Sequence, residues 1–251
     1  MIRSDPERLA ALIEQANHVV ALTGAGISVP SGIPDFRSPG TGLWAGVDPL
    51  AVAHIDVFHR DPRRFWQFYG QRFQTLEDKQ PNRAHRILAE LEAAGRLEAV
   101  ITQNIDRLHR RAGTRKLIEV HGTIAHSSCL SCGARYPLPE VRGRHERAAD
   151  QVPRCDCGHP LKPDVVLFGE YLPAAAMAEA ERLAGAADLM LCIGSSLEVY
   201  PVAQLPAITL ASGGRIAVLT QGATPYDSRA SIKLAGDVVQ ELDAVAAALA
   251  A

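Results

Sequence analysis

Long apolar runs are missing from these 251 residues. No stretch approaches the roughly 18 apolar residues that a spanning helix needs. No apolar segment with a small-residue cleavage site follows Met1-Ile2-Arg3-Ser4-Asp5-Pro6, so no secretory signal is expected. An excess of one charge is missing too: 26 Lys and Arg against 28 Asp and Glu leave a formal net charge of −2. That balance argues against direct nucleic-acid binding driven by counterion release. The composition, 47% hydrophobic and 22% charged, excludes a disordered chain. A chain of this length buries a sizeable core in one or two domains. The expectation is an intracellular, cytoplasmic protein without membrane contact.

Cysteine is scarce, but its placement is informative. Cys129 and Cys132 form a C-x-x-C, and Cys155 and Cys157 form a C-x-C after a gap of 22 residues. An intracellular setting disfavours disulfides and favours metal. Four thiolates suit tetrahedral Zn²⁺ and leave no open coordination position, so one structural zinc per chain is expected. It would staple a loop-rich segment that lacks enough core of its own. The second pair is tight, which makes His159 an alternative ligand. Cys192 lies in the apolar run Leu189-Met190-Leu191-Cys192-Ile193 and reads as inert core.

Helical and strand patterns alternate, which predicts an α/β fold built on a doubly wound, Rossmann-like parallel sheet. Leu9, Leu12, Ile13 and Ala16 repeat at helical spacing behind a capping box at Ser4 and Glu7. Apolar runs at 18–23, 99–102, 117–120, 189–193 and 215–219 read as buried strands. Helices are expected over 84–94 and 238–250. Two stretches break the alternation. Residues 38–81 hold most of the aromatics (Trp44, Phe58, Phe65, Trp66, Phe68, Tyr69 and Phe73) at helical spacing. Residues 122–163 hold the paired cysteines. Both read as insertions forming a smaller helical and zinc-binding domain beside a discontinuous larger one at 1–37, 82–121 and 164–251. The basic run Arg107 to Lys116 reads as a solvated helix end.

Four polar loops follow strands and should converge, because ligands in open α/β sheets bind at the carboxyl ends of strands. They are Thr23 to Gly32, Thr102 to Asp106, His121-Gly122, and Gly194-Ser195-Ser196. The first is glycine-rich, as a pyrophosphate-binding turn requires. It departs from G-x-G-x-x-G at Val29, and no acidic ribose anchor follows at the usual distance. An ordinary oxidoreductase is therefore a poor match.

The strings Gly24-Ala25-Gly26-Ile27-Ser28, Gly32-Ile33-Pro34-Asp35-Phe36-Arg37, Thr102-Gln103-Asn104-Ile105-Asp106 and His121-Gly122 resemble the sirtuin family of NAD-dependent protein lysine deacylases. So do Lys162-Pro163-Asp164-Val165-Val166-Leu167-Phe168-Gly169-Glu170 and Gly194-Ser195-Ser196-Leu197-Glu198-Val199-Tyr200-Pro201. The likeness spans nearly the whole chain in the family's order. It implies that an acyl-lysine protein or peptide reacts with NAD, releasing nicotinamide, free lysine and O-acyl-ADP-ribose. By that resemblance His121 is the general base and Asn104 orders a water or ribose hydroxyl. Gly24, Ala25, Gly26, Val29, Asp35, Phe36 and Arg37 form the NAD loop. Gln103 and His121 meet the ribose, and Ile105 and Asp106 hold the nicotinamide carboxamide with Ser28 nearby. Gly194, Ser195 and Ser196 bind on the phosphate and adenosine side, with Thr220, Gln221 and Val238 at its far end. The family commonly has Asn where Thr220 stands.

The resemblance also implies a peptide-substrate site. The peptide would add as a strand between Val165, Val166, Phe168, Gly169 and Glu170 on one side and Glu198, Val199 and Tyr200 on the other. Tyr69 and Arg72 resemble a Tyr-x-x-Arg pair that reads acidic acyl chains such as succinyl or malonyl, since a guanidinium and a phenol together bind a carboxylate. The plainer alternative puts them on the outer face of a helix. Two other functions remain open at this point: protein mono-ADP-ribosyl transfer, which shares the departure of nicotinamide, and a non-catalytic zinc-stapled NAD sensor.

Overall fold

A computed structural model describes residues 5–35, 48 and 50–250. The capping residue Ser4 and the positions Phe36, Arg37 and Trp44 lie outside these. In chain order the helices are α1 (Asp5–Gln15), α2 (Leu50–Ala53), α3 (Ile55–Arg60), α4 (Pro62–Asp78), α5 (Arg83–Ala93), α6 (Leu108–Ala112), α7 (Leu138–Arg147), α8 (Ala174–Ala186), α9 (Leu205–Ala211) and α10 (Val238–Ala250). The strands are β1 (Val19–Thr23), β2 (Ala99–Thr102), β3 (Leu117–Glu119), β4 (Gly122–Cys129), β5 (Arg135–Pro137), β6 (Leu161–Val165), β7 (Leu189–Ile193), β8 (Arg215–Leu219) and β9 (Ile232–Leu234).

The larger sheet has the order β3-β2-β1-β7-β8-β9 and is parallel throughout. This is the Rossmann order, and the strand sequence reverses between β1 and β7. Its strands read as unbroken apolar runs because both faces are covered. Val19 and Ala21 of β1 pack with α1, α5 and α10 on one face, while Val20 and Leu22 pack with α8 and α9 on the other. The same alternation divides β7: Leu189, Leu191 and Ile193 join the first layer, Met190 and Cys192 the second.

A second sheet, β5-β4-β6, is antiparallel. Its core combines Ile124, Leu161 and Val165 with the aromatics Phe58, Phe65, Trp66, Tyr69 and Phe73. Both insertions therefore share one apolar cluster. Helix α4 begins where Asp61 accepts from the Arg64 N–H at 3.0 Å, with Pro62 preset for the first turn. The chain division expected at 164 falls inside β6, which stays in the small sheet through Val165. The run Asp164 to Phe168 is therefore strand only at its start and loop after Val165.

Candidate active site and metal centre

The carboxyl ends of β1, β2, β3 and β7 are joined by polar contacts between residues far apart in sequence. The glycine turn after β1 becomes a 3-10 helix, Ala25–Ser31, and presses backbone to backbone on the loop after β7. Gly26 N–H donates to the Gly194 carbonyl at 2.8 Å, and a Cβ on Gly26 would stand 2.8 Å from Gly194 Cα. Gly194 itself has φ of 61°, and its Cβ would stand 2.3 Å from Ile27 N. These glycines are needed for one loop to approach the other. Asn82 secures the same turn, donating to the Ile27 carbonyl at 2.8 Å and Ser31 Oγ at 2.9 Å while capping α5.

Asn104 is buried and donates its amide to the Gly24 carbonyl at 3.0 Å and Ser28 Oγ at 3.2 Å. Ser28 in turn donates to Asp106 at 2.6 Å, and the other Asp106 oxygen accepts from the Leu108 N–H at 2.9 Å. Burial raises the Asp106 pKa, and these two bonds work against that rise. Gln103 donates to Ser195 Oγ at 2.9 Å, and the Leu197 N–H reaches the same oxygen at 3.2 Å. A hydroxyl that accepts twice still has its own proton to give.

His121 Nδ1 lies 3.0 Å from the Gln103 carbonyl. A carbonyl only accepts, so Nδ1 carries the proton and Nε2 is the basic nitrogen. Burial holds the ring's pKa below the ordinary 6.5, and the bond to Gln103 opposes this only in part. The structure thus joins Gly24, Gly26, Ser28, Gln103, Asn104, Asp106, His121, Gly194 and Ser195 into one constellation. Ile105 is half-buried beside them, and its carbonyl accepts from Ile124 N–H at 3.2 Å. Ala25, Asp35 and Ser196 are half-buried, while Val29 is exposed. Thr220 is half-buried at the end of β8 with Gln221 exposed after it, and Val238 packs into the core layer of α10. Phe36 and Arg37 lie outside the described residues.

Two histidines at this site carry no signal in the sequence. His109 Nε2 is 2.9 Å from Thr23 Oγ1, and Thr23 donates to Thr102 at 2.9 Å. His85 Nε2 is 3.4 Å from Ser28 Oγ. The two rings meet edge to face at 4.8 Å. Both are buried, and burial lowers the His85 pKa to about 4 and that of His109 well below 6.5. Two neutral imidazoles therefore underlie the constellation.

Beside it, Val166 N–H donates to the His121 carbonyl at 2.9 Å. Phe168 exchanges both backbone bonds with Ala53 and Ile55. The Glu170 carboxylate is committed to buried Lys162 at 2.9 Å and to the Leu167 N–H at 2.8 Å, so it fastens this loop. Gly169 is exposed with φ of 85°. Phe168, Val199 and Tyr200 are large apolar side chains left exposed, and Glu198 is exposed with them. Tyr69 is buried and packs between Phe65 and Phe73 at 4.8 and 5.2 Å, so it is not on an outer helix face. Arg72 is half-buried, stacks 3.7 Å over the Phe68 ring and donates to the Phe68 carbonyl.

The four paired cysteines come together: all Sγ atoms lie within 4.8 Å of one another, with three separations of 3.4 to 3.5 Å. A tetrahedron with zinc–sulfur bonds of about 2.3 Å has sulfur–sulfur edges of about 3.8 Å, so the donor set fits zinc. His159 Nδ1 lies 3.7 Å from Cys157 Sγ, beside the cluster. Cys192 is buried in β7, far up the titration scale at about 12 because of burial. Of the basic run, Arg110 and Arg111 are exposed in the last turn of α6, and Arg111 donates to the carbonyls of Glu77, in the last turn of α4, and of Lys79, just after it. Among the described residues no helix is long and apolar enough to cross a membrane.

A Rossmann-order sheet with a polar crevice at its switch point, joined to a four-cysteine module that fits zinc, defines a dinucleotide-binding α/β protein with a second, cysteine-clustered insertion. The model of the Sir2 family matches residues 24–201. The chain belongs to the Sir2 family. It is 48% identical over 228 residues to the NAD-dependent protein deacetylase of Sulfolobus acidocaldarius, covering 91% of this chain and 88% of that protein. A solved structure of Sir2 with p53 peptide and NAD+ matches at a TM-score of 0.88 and 43% identity, covering 95% of each chain. Another, of Sir2 with deacetylated p53 peptide and 3'-O-acetyl ADP ribose, matches at 0.91 and 42% identity over 96% of this chain and 97% of that one.

Proposed function

We propose that this chain is an NAD-dependent protein lysine deacylase, removing acetyl groups and releasing nicotinamide and O-acyl-ADP-ribose. The observation that carries the proposal is the His121 tautomer. With Nδ1 committed to the Gln103 carbonyl, the ring is held neutral and presents Nε2 as a base. NAD, when bound, supplies a ribose carbon from which nicotinamide departs. The chain's own groups do the rest. His121 Nε2 takes the proton of a ribose hydroxyl. Asn104, fixed through its amide, turns its oxygen to order a water or hydroxyl. Asp106 and Ile105 hold the carboxamide, and the Ser195 hydroxyl has its proton free for a phosphate. A zinc ion held by Cys129, Cys132, Cys155 and Cys157 would staple the insertion and, with four protein ligands, would offer no open position for the reaction. The 3'-O-acetyl ADP ribose of the solved relative supports the product assignment.

The proposal assigns the large sheet and its helices to NAD, with the domain boundary moved to the end of β6. The two insertions would border an extended acyl-lysine peptide lying against Val165 to Glu170 and Glu198 to Tyr200. Acidic acyl chains belong to the same reading. Among the described residues Arg72 has no carboxylate partner, and Tyr69 lies within its electrostatic reach. A succinyl or malonyl carboxylate would complete that pair.

The test is mass spectrometry of one lysine peptide carried in acetyl and succinyl forms, with and without NAD. The expected result is NAD-dependent loss of acyl mass with matching O-acyl-ADP-ribose. An ADP-ribose mass added to protein without acyl loss would instead establish mono-ADP-ribosyl transfer. Binding of NAD with no nicotinamide released would establish a sensor. Arg72→Met should reduce desuccinylation roughly 10- to 100-fold, the worth of a charged hydrogen bond, and deacetylation far less. Equal losses would return the pair to a packing role.

A further inference from the structure

Helix α7 of the cysteine-bearing insertion leans on α4 at Gly70, where any added side chain would meet the His145 ring. A Cβ on Gly70 would stand 2.4 Å from His145 Nε2 and 2.9 Å from its Cε1. His145 is buried and its ring lies 5.8 Å from that of Trp66. Arg142, one turn earlier on α7, pairs with Glu77, two turns later on α4, at 3.1 Å. These two contacts set α7 along one face of α4. A third tie runs from Trp66 Nε1 to the Leu161 carbonyl of β6 at 3.0 Å.

This seam is not what packing alone would select. His145 Nε2 is buried without a hydrogen-bond partner, which costs free energy that an apolar side chain would not. The remaining void, between Trp66, Phe73, Leu138 and Val141, is about 10 Å³, the lower limit for one water. Burial keeps the imidazole neutral, opposed by Glu146, while Glu77 and Arg142 neutralise each other. The residues beside Gly70 on α4 are those the proposed function gives to the acyl chain. Tyr69 is its neighbour. Arg72, two residues on, is tied to the Phe68 ring and carbonyl and so moves with the helix as one body.

We propose that His145, seated on Gly70, is a positioning residue for acyl recognition. It sets the distance between α7 and α4, and through α4 the placement of Tyr69 and Arg72. The proposal rests on the reading that Tyr69 and Arg72 border the acyl chain. Selectivity for the acyl group is then governed from the far side of α4, by a residue that never touches substrate.

The test is the ratio of succinyl to acetyl kcat/KM in the full-length protein with a single peptide. It compares His145→Ala, His145→Gln, Gly70→Ala and the double variant Gly70→Ala/His145→Ala. His145→Ala should shift the ratio at least about threefold, since sub-ångström misplacement of a binding group is felt at that scale. The shift should lie in KM for the acyl peptide, with KM for NAD unchanged. His145→Gln, which keeps a polar atom near Nε2, should restore much of the ratio. Gly70→Ala should shift it in the presence of His145 and hardly at all in the His145→Ala background, because the clash is then gone. Circular dichroism melts confirm that each variant is folded. His145→Ala only removes atoms and leaves Arg142–Glu77 in place, so it decides the matter if Gly70→Ala does not fold. The proposal is overturned if His145→Ala folds and keeps the ratio while Arg72→Met moves it, or if Gly70→Ala acts equally in both backgrounds. If Arg72→Met itself leaves the ratio unchanged, the reading beneath the proposal has failed, and the proposal with it.

Discussion

A histidine becomes a base through what its other nitrogen is doing. In this chain the Gln103 carbonyl accepts a hydrogen bond from His121 Nδ1–H, and burial keeps the ring neutral. Activity should therefore fall on the acid side with a midpoint below 6.5, because the charged ring has no lone pair to offer. His121→Ala should lower kcat about 10²- to 10⁴-fold, the usual worth of general base catalysis, with the melting temperature little changed. Wild-type turnover in that variant would remove His121 from the base role. The neighbouring Ser28 has a different part. Ser28→Ala would strip the 2.6 Å bond from a buried carboxylate and one acceptor from Asn104. The expected cost is about 1–3 kcal/mol of stability, read by thermal melts, with weaker NAD binding read by calorimetry. His121 and Ser28 could be picked out from the sequence because they stand beside strand ends in distinctive strings. His85 and His109 could not. Their partners Ser28 and Thr23 are 57 and 86 residues away, and only the folded sheet brings them near.

At the scale of elements, the two halves of the sheet meet through glycine. Gly26→Ala would put a methyl 2.8 to 2.9 Å from the Gly194 backbone, which has no flexible end to move aside. The loops after β1 and β7 must separate, and overpacking of this kind costs about 1–3 kcal/mol. NAD affinity should drop more than stability does, since the crevice opens between those loops; an unchanged dissociation constant by calorimetry would refute this. The strands β1, β2, β7 and β8 were legible because burial on both faces leaves continuous apolar runs. β9 was not: it is three residues long with Lys233 at its centre, and it is recognised only by pairing with β8. Helix α8 hid for another reason, its Ala-rich sequence giving little contrast between faces. The small sheet carries few apolar positions of its own and leans on α4 and on the cysteine cluster. Cys129→Ser, or a strong chelator, should therefore melt the insertion first. The expected readout is one zinc per chain by elemental analysis in the wild type, and an early partial unfolding transition when it is lost. A folded, zinc-free, active variant would refute the staple.

Taken as a whole, the molecule keeps two buried histidines neutral under the candidate site, and this links stability to pH. The folded pKa of His85 lies near 4, against about 6.5 when unfolded. The unfolded chain therefore binds a proton that the folded chain refuses. Stability from this group is full above pH 6.5 and is lost as pH falls through 6.5 toward 4. A difference of about 2.5 units corresponds to about 3 kcal/mol for His85 alone. His109 is shifted in the same direction and adds to the loss. Exposed acidic groups such as Asp150 and Asp156, whose pKa values are lowered by Arg154 and Arg144, release their contributions only at lower pH. The melting temperature should thus fall between pH 6.5 and 4 in the wild type and more gently in His85→Asn. Parallel slopes in the two proteins would sink this account. Activity falls on the acid side for a separate reason, the protonation of His121, whose pKa burial holds below 6.5. The two effects are told apart by reversibility and by temperature. At low temperature, where the fold persists, activity should be lost and regained with pH while the far-ultraviolet spectrum stays constant. Nearer the melt, both should fail together, because the imidazoles that secure Ser28 and Thr23 then draw protons and take the crevice apart from beneath.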